Sequence, residues 1–72
     1  MSQFEVYNLL MDLGGKATAI ELIKRAKEKY PEYSLHKYIY TRLSTLQKNG
    51  IIKKYYNENS ELVCEIISEW PY

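Results

Sequence analysis

"SLHKYIYTRLSTLQKNG", residues 34–50, is the stretch on which the fold turns. Ser34 is a favourable N-cap, because a serine hydroxyl accepts from a free amide of the first helical turn. Gly50 stands where a left-handed residue ends a helix. Between them Leu35, Ile39, Leu43 and Leu46 recur at helical spacing and make an apolar stripe. The opposite arc holds Lys37, Tyr40, Thr41, Ser44 and Lys48. The spacing predicts a helix over 34–49. A plain solvated face mixes glutamate with lysine, and this is the one helical pattern of the chain without an acid.

Two more helices are written upstream. Thr18-Ala-Ile-Glu21 is a capping box, in which the threonine accepts from the glutamate amide and the glutamate reaches back. It opens a helix over 19–30 with Ala19, Leu22, Ile23, Ala26 and Tyr30 on one face and Lys24, Arg25, Lys27, Glu28 and Lys29 outside. Pro31 stops it, because the residue before a proline disfavours helical backbone. Only Pro31-Glu32-Tyr33 separates this helix from the next, and so short a turn forces a steep crossing, the geometry of a helix-turn-helix.

The first helix, over 3–13, starts from another capping box, Ser2-Gln-Phe-Glu5. Glu5, Asn8 and Asp12 form a narrow polar sector. Phe4, Tyr7 and Met11 lie to one side of it, Val6, Leu9 and Leu13 to the other, and Leu10 between them. That apolar arc spans about 220°, against the ~100° a surface helix needs to pack one core. Such a helix is either sandwiched inside the fold or covered by a second subunit. For a chain this short the subunit is the expected cover, with Val6, Leu9, Leu13, Trp70 and Tyr72 as its dimer surface.

After Gly50 the period changes to that of strands. Two are predicted, over 51–56 and 62–68, around a polar tip, Asn57 to Glu61, and an aromatic tail over 69–72 follows. The whole, residues 1–72, reads as a single α+β, mostly helical domain of three helices plus a C-terminal β-hairpin. Composition sets further bounds. At 46% apolar residues the chain is globular, and it has no apolar run near the ~20 residues of a membrane span, so a cytoplasmic protein is expected. The one cysteine, Cys64, sits among Leu62, Val63 and Ile66 and reads as a small buried hydrophobe. The net charge of +1 hides a strong segregation. All ten basic residues fall between Lys16 and Lys54 against three acids there, a local charge of +7, while both ends are acidic. A basic block of that kind points to a polyanionic partner.

The order helix, polar link, helix, three-residue turn, helix, glycine, hairpin resembles that of winged helix-turn-helix proteins. Ile39-x-x-x-Leu43-x-x-Leu46-x-x-x-Gly50-Ile51-Ile52 looks like the end of their recognition helix entering the wing. The likeness covers about residues 3–68 and points to the small regulators of the MarR, ArsR and PadR type and to short stand-alone proteins of archaea and their viruses. It implies a DNA-binding transcription regulator with the third helix in the major groove of double-stranded DNA and the hairpin as the wing.

The residues have the chemistry for that role. Lys37 and Lys48 suit phosphates or guanine edges; Tyr40, Thr41 and Ser44 offer hydroxyls and apolar surface; Ser34 and His36 lie at the anion-favouring start of the helix. Lys37 occupies a first-turn position where a cation opposes the helix dipole by about 0.3–1 kcal/mol, a cost that an incoming phosphate offsets. Lys16, Lys53 and Lys54 are expected at the DNA backbone. Arg42, at the edge of the apolar stripe, either reaches a phosphate or pairs with Glu32 or Glu65. The wing tip departs from the pattern: Glu58 and Glu61 repel a minor groove, leaving Asn57, Asn59 and Ser60 as its hydrogen-bonding groups.

Catalysis is not expected. One histidine and one cysteine on separate elements form neither a triad nor a metal set, and no glycine-rich phosphate loop is present. No cofactor, metal or small-molecule ligand is implied. A homodimer is expected, because one recognition helix reads only a few base pairs. The competing expectations are a winged-helix protein–protein interaction module and a non-specific architectural DNA binder.

Overall fold

The computed structural model describes residues 3–31 and 36–70, of which 36 and 37 are described by backbone only. The elements run α1 (Gln3–Asp12), β1 (Lys16–Thr18), α2 (Ala19–Lys29), α3 (His36–Lys48), β2 (Ile52–Tyr56) and β3 (Leu62–Ile66). The three helices accompany a three-stranded antiparallel sheet of order β1-β3-β2. The capping box at Ser2, the N-cap at Ser34 and the stripe position Leu35 lie outside the described residues.

Both α1 and α3 end on left-handed glycines. At α3, Gly50 has φ of +74°, its amide donates to the Gln47 carbonyl at 3.0 Å, and the Ile51 amide donates to the Leu46 carbonyl at 3.0 Å. That pair of bonds satisfies the last carbonyls, and the buried Ile51 stands beside the buried Leu46 to seal the end. At α1 the same pattern joins Gly14 to Met11 and Gly15 to Leu10.

The polar link between the first two helices, where the sequence predicts no strand, contains β1. Lys16, Ala17 and Thr18 pair with Glu65, Cys64 and Val63, and the Gly15 carbonyl accepts from the Ile66 amide at 2.8 Å. Three residues are too few to carry a strand period, and their partner lies far along the chain, so no local signal marks them. The capping box of α2 forms as expected. Thr18 Oγ1 accepts from the Glu21 amide at 3.1 Å, and Glu21 Oε1 accepts from the Thr18 amide at 3.4 Å. Replacing Thr18 with alanine is expected to cost about 1 kcal/mol. In a domain of this size that lowers the midpoint of a thermal melt by roughly 4–8 °C, readable by circular dichroism.

The hairpin pairs Ile52 with Ile66 through to Tyr56 with Leu62. Its strands are shorter than expected. Ile51 closes the helix cap, and the amides of Ile67 and Ser68 both donate to the Ile51 carbonyl, which hooks the chain over the base of the hairpin.

The core corrects the reading of α1. Val6, Leu9 and Leu10 are 0% exposed and join Leu22, Ala26, Ile39, Leu43, Leu46, Ile52 and Cys64 in one cluster. Leu13 is partly buried against it. Val6 and Leu9 are therefore interior, not a dimer surface, whereas Leu13 packs on the core with part of its surface still in solvent. Trp70 likewise turns back on its own domain, its ring 5.3 Å from that of Phe4 and 5.5 Å from that of Tyr7. Tyr72 lies outside the described residues. The wide apolar arc is covered within one chain because α2, α3, the sheet and the Trp70 ring all lean on this helix, leaving Phe4 and Met11 to solvent.

Candidate functional site

Burial of Ile39, Leu43 and Leu46 fixes the rotation of α3 about its axis. The opposite side, Tyr40, Thr41, Ser44 and Lys48, is exposed, and Gln47 is exposed with it. Thr45 Oγ1 donates to the Thr41 carbonyl at 3.0 Å, a local bond that ties its hydroxyl to the helix. Ser34 lies outside the described residues, as do the side chains of His36 and Lys37.

The strand next to this arc adds a cation. In β2 successive side chains alternate between the faces of the sheet, so Ile52, Lys54 and Tyr56 share one face. Ile52 is in the core, and that face is therefore the helix side. Lys54 Nζ reaches across and donates to Ser44 Oγ at 3.3 Å. The base of the hairpin and the middle of α3 are thereby joined into one surface bearing Lys48, Lys54 and three hydroxyl groups, with no acid among those residues.

Lys53 belongs elsewhere. It points to the other face of the sheet with Lys16, Tyr55 and Glu65. Glu65 accepts from the Tyr55 hydroxyl at 3.1 Å and lies 3.9 Å from Lys53 Nζ. The ammonium groups of Lys16 and Lys53 stand 5.8 and 5.5 Å from the Tyr55 ring centre. The neighbouring Tyr55 hydroxyl, and then the Glu65 carboxylate, raise the pKa of Lys16. Beside this cluster a shallow groove of about 340 Å³ is lined by Lys16, Thr18, Glu21, Tyr55, Asn57 and Val63. Its carboxylate, Glu21, is already engaged by the α2 cap. The three lysines grouped by sequence are thus split: Lys54 faces α3, whereas Lys16 and Lys53 surround a glutamate on the far side. Arg42 is half-buried at the flank of the stripe.

The hairpin tip is built from its own polar groups. The Asn57 side-chain oxygen accepts from the amides of Asn59 at 2.9 Å and Glu61 at 3.0 Å, and its Nδ2 donates to Glu61 at 3.2 Å. Ser60 takes the left-handed conformation, φ +61°, that closes the turn. Asn57 therefore holds the turn through both ends of its carboxamide, while Asn59 and Ser60 are exposed.

Cys64 is fully buried, and burial pushes its thiol pKa up, so it packs as a small apolar group. Among the described residues no cluster of three or more His, Cys, Asp or Glu side chains is arranged to hold a metal ion, and no helix is long and apolar enough to cross a membrane. Sequence reasoning missed Gln47 on the arc, the exposed Tyr56 on β2 and the seating of Lys54 on Ser44. The signal for Lys54 and Tyr56 was present: both share the period of the apolar Ile52. Comparison with protein-family models, curated proteins and solved structures finds no match for this chain.

Proposed function

We propose that this chain is a winged helix-turn-helix transcription regulator that lays α3 in the major groove of double-stranded DNA. The observation that carries it is the hydrogen bond from Lys54 to Ser44. It extends the acid-free arc of α3 onto the base of the hairpin, so that Lys48 and Lys54 flank the exposed hydroxyls of Tyr40, Thr41 and Ser44. Cations fix a duplex by its phosphates, and the side chains between them meet base edges. The order of elements, with α3 running through Gly50 into a two-stranded hairpin, supports the winged-helix reading.

A homodimer completes the proposal, since two half-sites give the specificity that one helix lacks. With Val6 and Leu9 inside the core, the apolar surface that remains for a partner on α1 is Phe4 and Met11, beside Trp70. The acidic hairpin tip, with Glu58 exposed, favours a second reading, docking of the hairpin on a protein.

Selecting bound duplexes from a random pool tests the proposal. The expected outcome is a site with two related halves about one DNA turn apart, bound ~10³-fold or more above random sequence. Binding without sequence preference and with a steep salt dependence identifies an architectural binder instead. No duplex binding at physiological salt leaves the protein-docking reading.

A further inference from the structure

The sheet ends at β2, which has β3 on one side and, among the described residues, no strand on the other. Two bonds fix which backbone groups turn to that open side. The Ile67 amide donates to the Ile51 carbonyl at 2.9 Å, and the Asn57 amide donates to the Glu61 carbonyl at 3.0 Å. Both pairs continue the β2–β3 register, Ile52 with Ile66 through Tyr56 with Leu62. Bonded and unbonded pairs alternate along an antiparallel ladder, so counting inward from either end gives the same phase. Lys53 and Tyr55 direct their N–H and C=O groups to β3, whereas those of Lys54 and Tyr56 point outward. Among the described residues no hydrogen bond reaches these outward backbone groups.

A row of alternating donors and acceptors is matched by another extended polypeptide; a phosphate backbone accepts only, and so opposes the carbonyls. β2 has the other marks of an open edge: it holds no proline, its register runs without a bulge, and Tyr56 is 71% exposed. Its guard is charge. Lys53 and Lys54 stand on opposite faces of the strand, and no acid occurs from 50 to 57. Glu65 approaches Lys53 Nζ only to 3.9 Å, and more than half of that lysine side chain stays in solvent. Like charges on neighbouring strands repel, so a second copy of β2, bringing the same two lysines, is disfavoured. A strand with two consecutive acids instead sets one carboxylate beside each lysine. Glu58, exposed just beyond Tyr56, turns the preference at that end to an apolar residue.

We infer that the open edge of β2 takes an extended acidic segment of a partner protein as a fourth strand, with two consecutive acids beside Lys53 and Lys54 and an apolar residue beside Tyr56. The backbone supplies the pairing, and the lysines select the partner. This edge shares Lys54 with the DNA reading but does not depend on it.

The probe is an acetylated and amidated heptapeptide, Thr-Tyr-Val-Glu-Glu-Val-Thr, titrated into the intact chain and followed by two-dimensional NMR and amide hydrogen exchange. Paired antiparallel, its glutamates lie opposite Lys54 and Lys53 and its tyrosine opposite Tyr56. In the dilute free chain the Lys54 and Tyr56 amides are expected to exchange fast, and those of Lys53 and Tyr55 slowly. Peptide at about ten times its dissociation constant is expected to slow the Lys54 and Tyr56 amides roughly tenfold. N-methylation of the first glutamate keeps the charge but removes a bond to β2, and is expected to weaken binding roughly tenfold. Lysines in place of both glutamates are expected to weaken it at least as much, about tenfold or more. Equal binding of the parent and N-methylated peptides, or of the acidic and basic ones, overturns the inference. So does absence of binding, or slow Lys54 and Tyr56 amides in the dilute free chain. Protection of those amides that grows with protein concentration, without peptide, makes a second copy the occupant and equally overturns it. Each of these results leaves the DNA reading to the duplex selection.

Discussion

Leu9→Glu is expected to unfold the chain rather than to split a dimer. Leu9 is 0% exposed, in the middle of α1 and among the residues of the single core. Removing a buried leucine costs about 2–5 kcal/mol in lost packing and cavity. Placing a carboxylate there without a partner adds several kcal/mol, or forces the group to stay protonated. A domain of 72 residues has about 4–11 kcal/mol of total stability, so the two effects together remove most or all of it. Far-UV circular dichroism at 25 °C is expected to show loss of the helical signal. A Leu9→Glu protein that keeps the wild-type spectrum and melt would place this side chain at the surface and refute the packing described for α1.

Met11→Glu is the informative contrast on the same helix. Met11 is more than half exposed, and a surface substitution of this kind changes stability by no more than about 0.5 kcal/mol. Any loss of mass in sedimentation for Met11→Glu then reports the partner surface, not the fold.

Replacing Lys48 and Lys54 together with alanine is expected to produce the largest functional loss. Each lysine neutralising one phosphate contributes about 0.9 to the slope of log affinity against log salt. Losing both lowers that slope by about 2, and near 0.1 M salt it weakens duplex binding by roughly tenfold per contact, or about 100-fold for the pair. Lys48 is exposed, Lys54 is half-buried and its bond to Ser44 is solvent-exposed, so stability is expected to hold within about 1 kcal/mol. Lys53→Ala is the matched control. Its ammonium lies near Glu65 on the other face of the sheet, and its removal is expected to change affinity by no more than about threefold. Salt-dependent titrations of the three proteins decide the matter. Equal effects from Lys53 and Lys54 would remove the distinction between the two faces.

Much of the fold was legible because its signals are local. The capping box at Thr18 and Glu21, the stop at Pro31, the αL glycine at position 50 and the stripe Ile39, Leu43, Leu46 each act within one helical turn of themselves. The hairpin announced itself by a change of period after Gly50. The outer arc of α3 was legible for the same reason, since burying the stripe decides which residues are left outside.

What was not legible depends on contacts between distant parts of the chain. The period of α1 shows that two sides of the helix are apolar, but it does not show whether another element of the same chain reaches the second side. Here β1 and the Trp70 ring help to do so, and both are placed by pairing or packing far from their own neighbours. Likewise, composition counts Lys16, Lys53 and Lys54 as one basic group. Only the sheet, by alternating its side chains, sends Lys54 to the helix and the other two towards Glu65. The tyrosines divide in the same way: Tyr7 is buried, Tyr55 is engaged by Glu65, and Tyr40 and Tyr56 remain in solvent. Sequence by itself determined the helices, the Thr18 capping box, the Gly50 helix end and the acid-free outer face of α3, because hydrogen bonding and periodicity over a few residues are enough to do so. The tertiary structure decided which apolar surface is spent on the core and which cations and rings stand together, because burial belongs to the packed whole and not to any one segment.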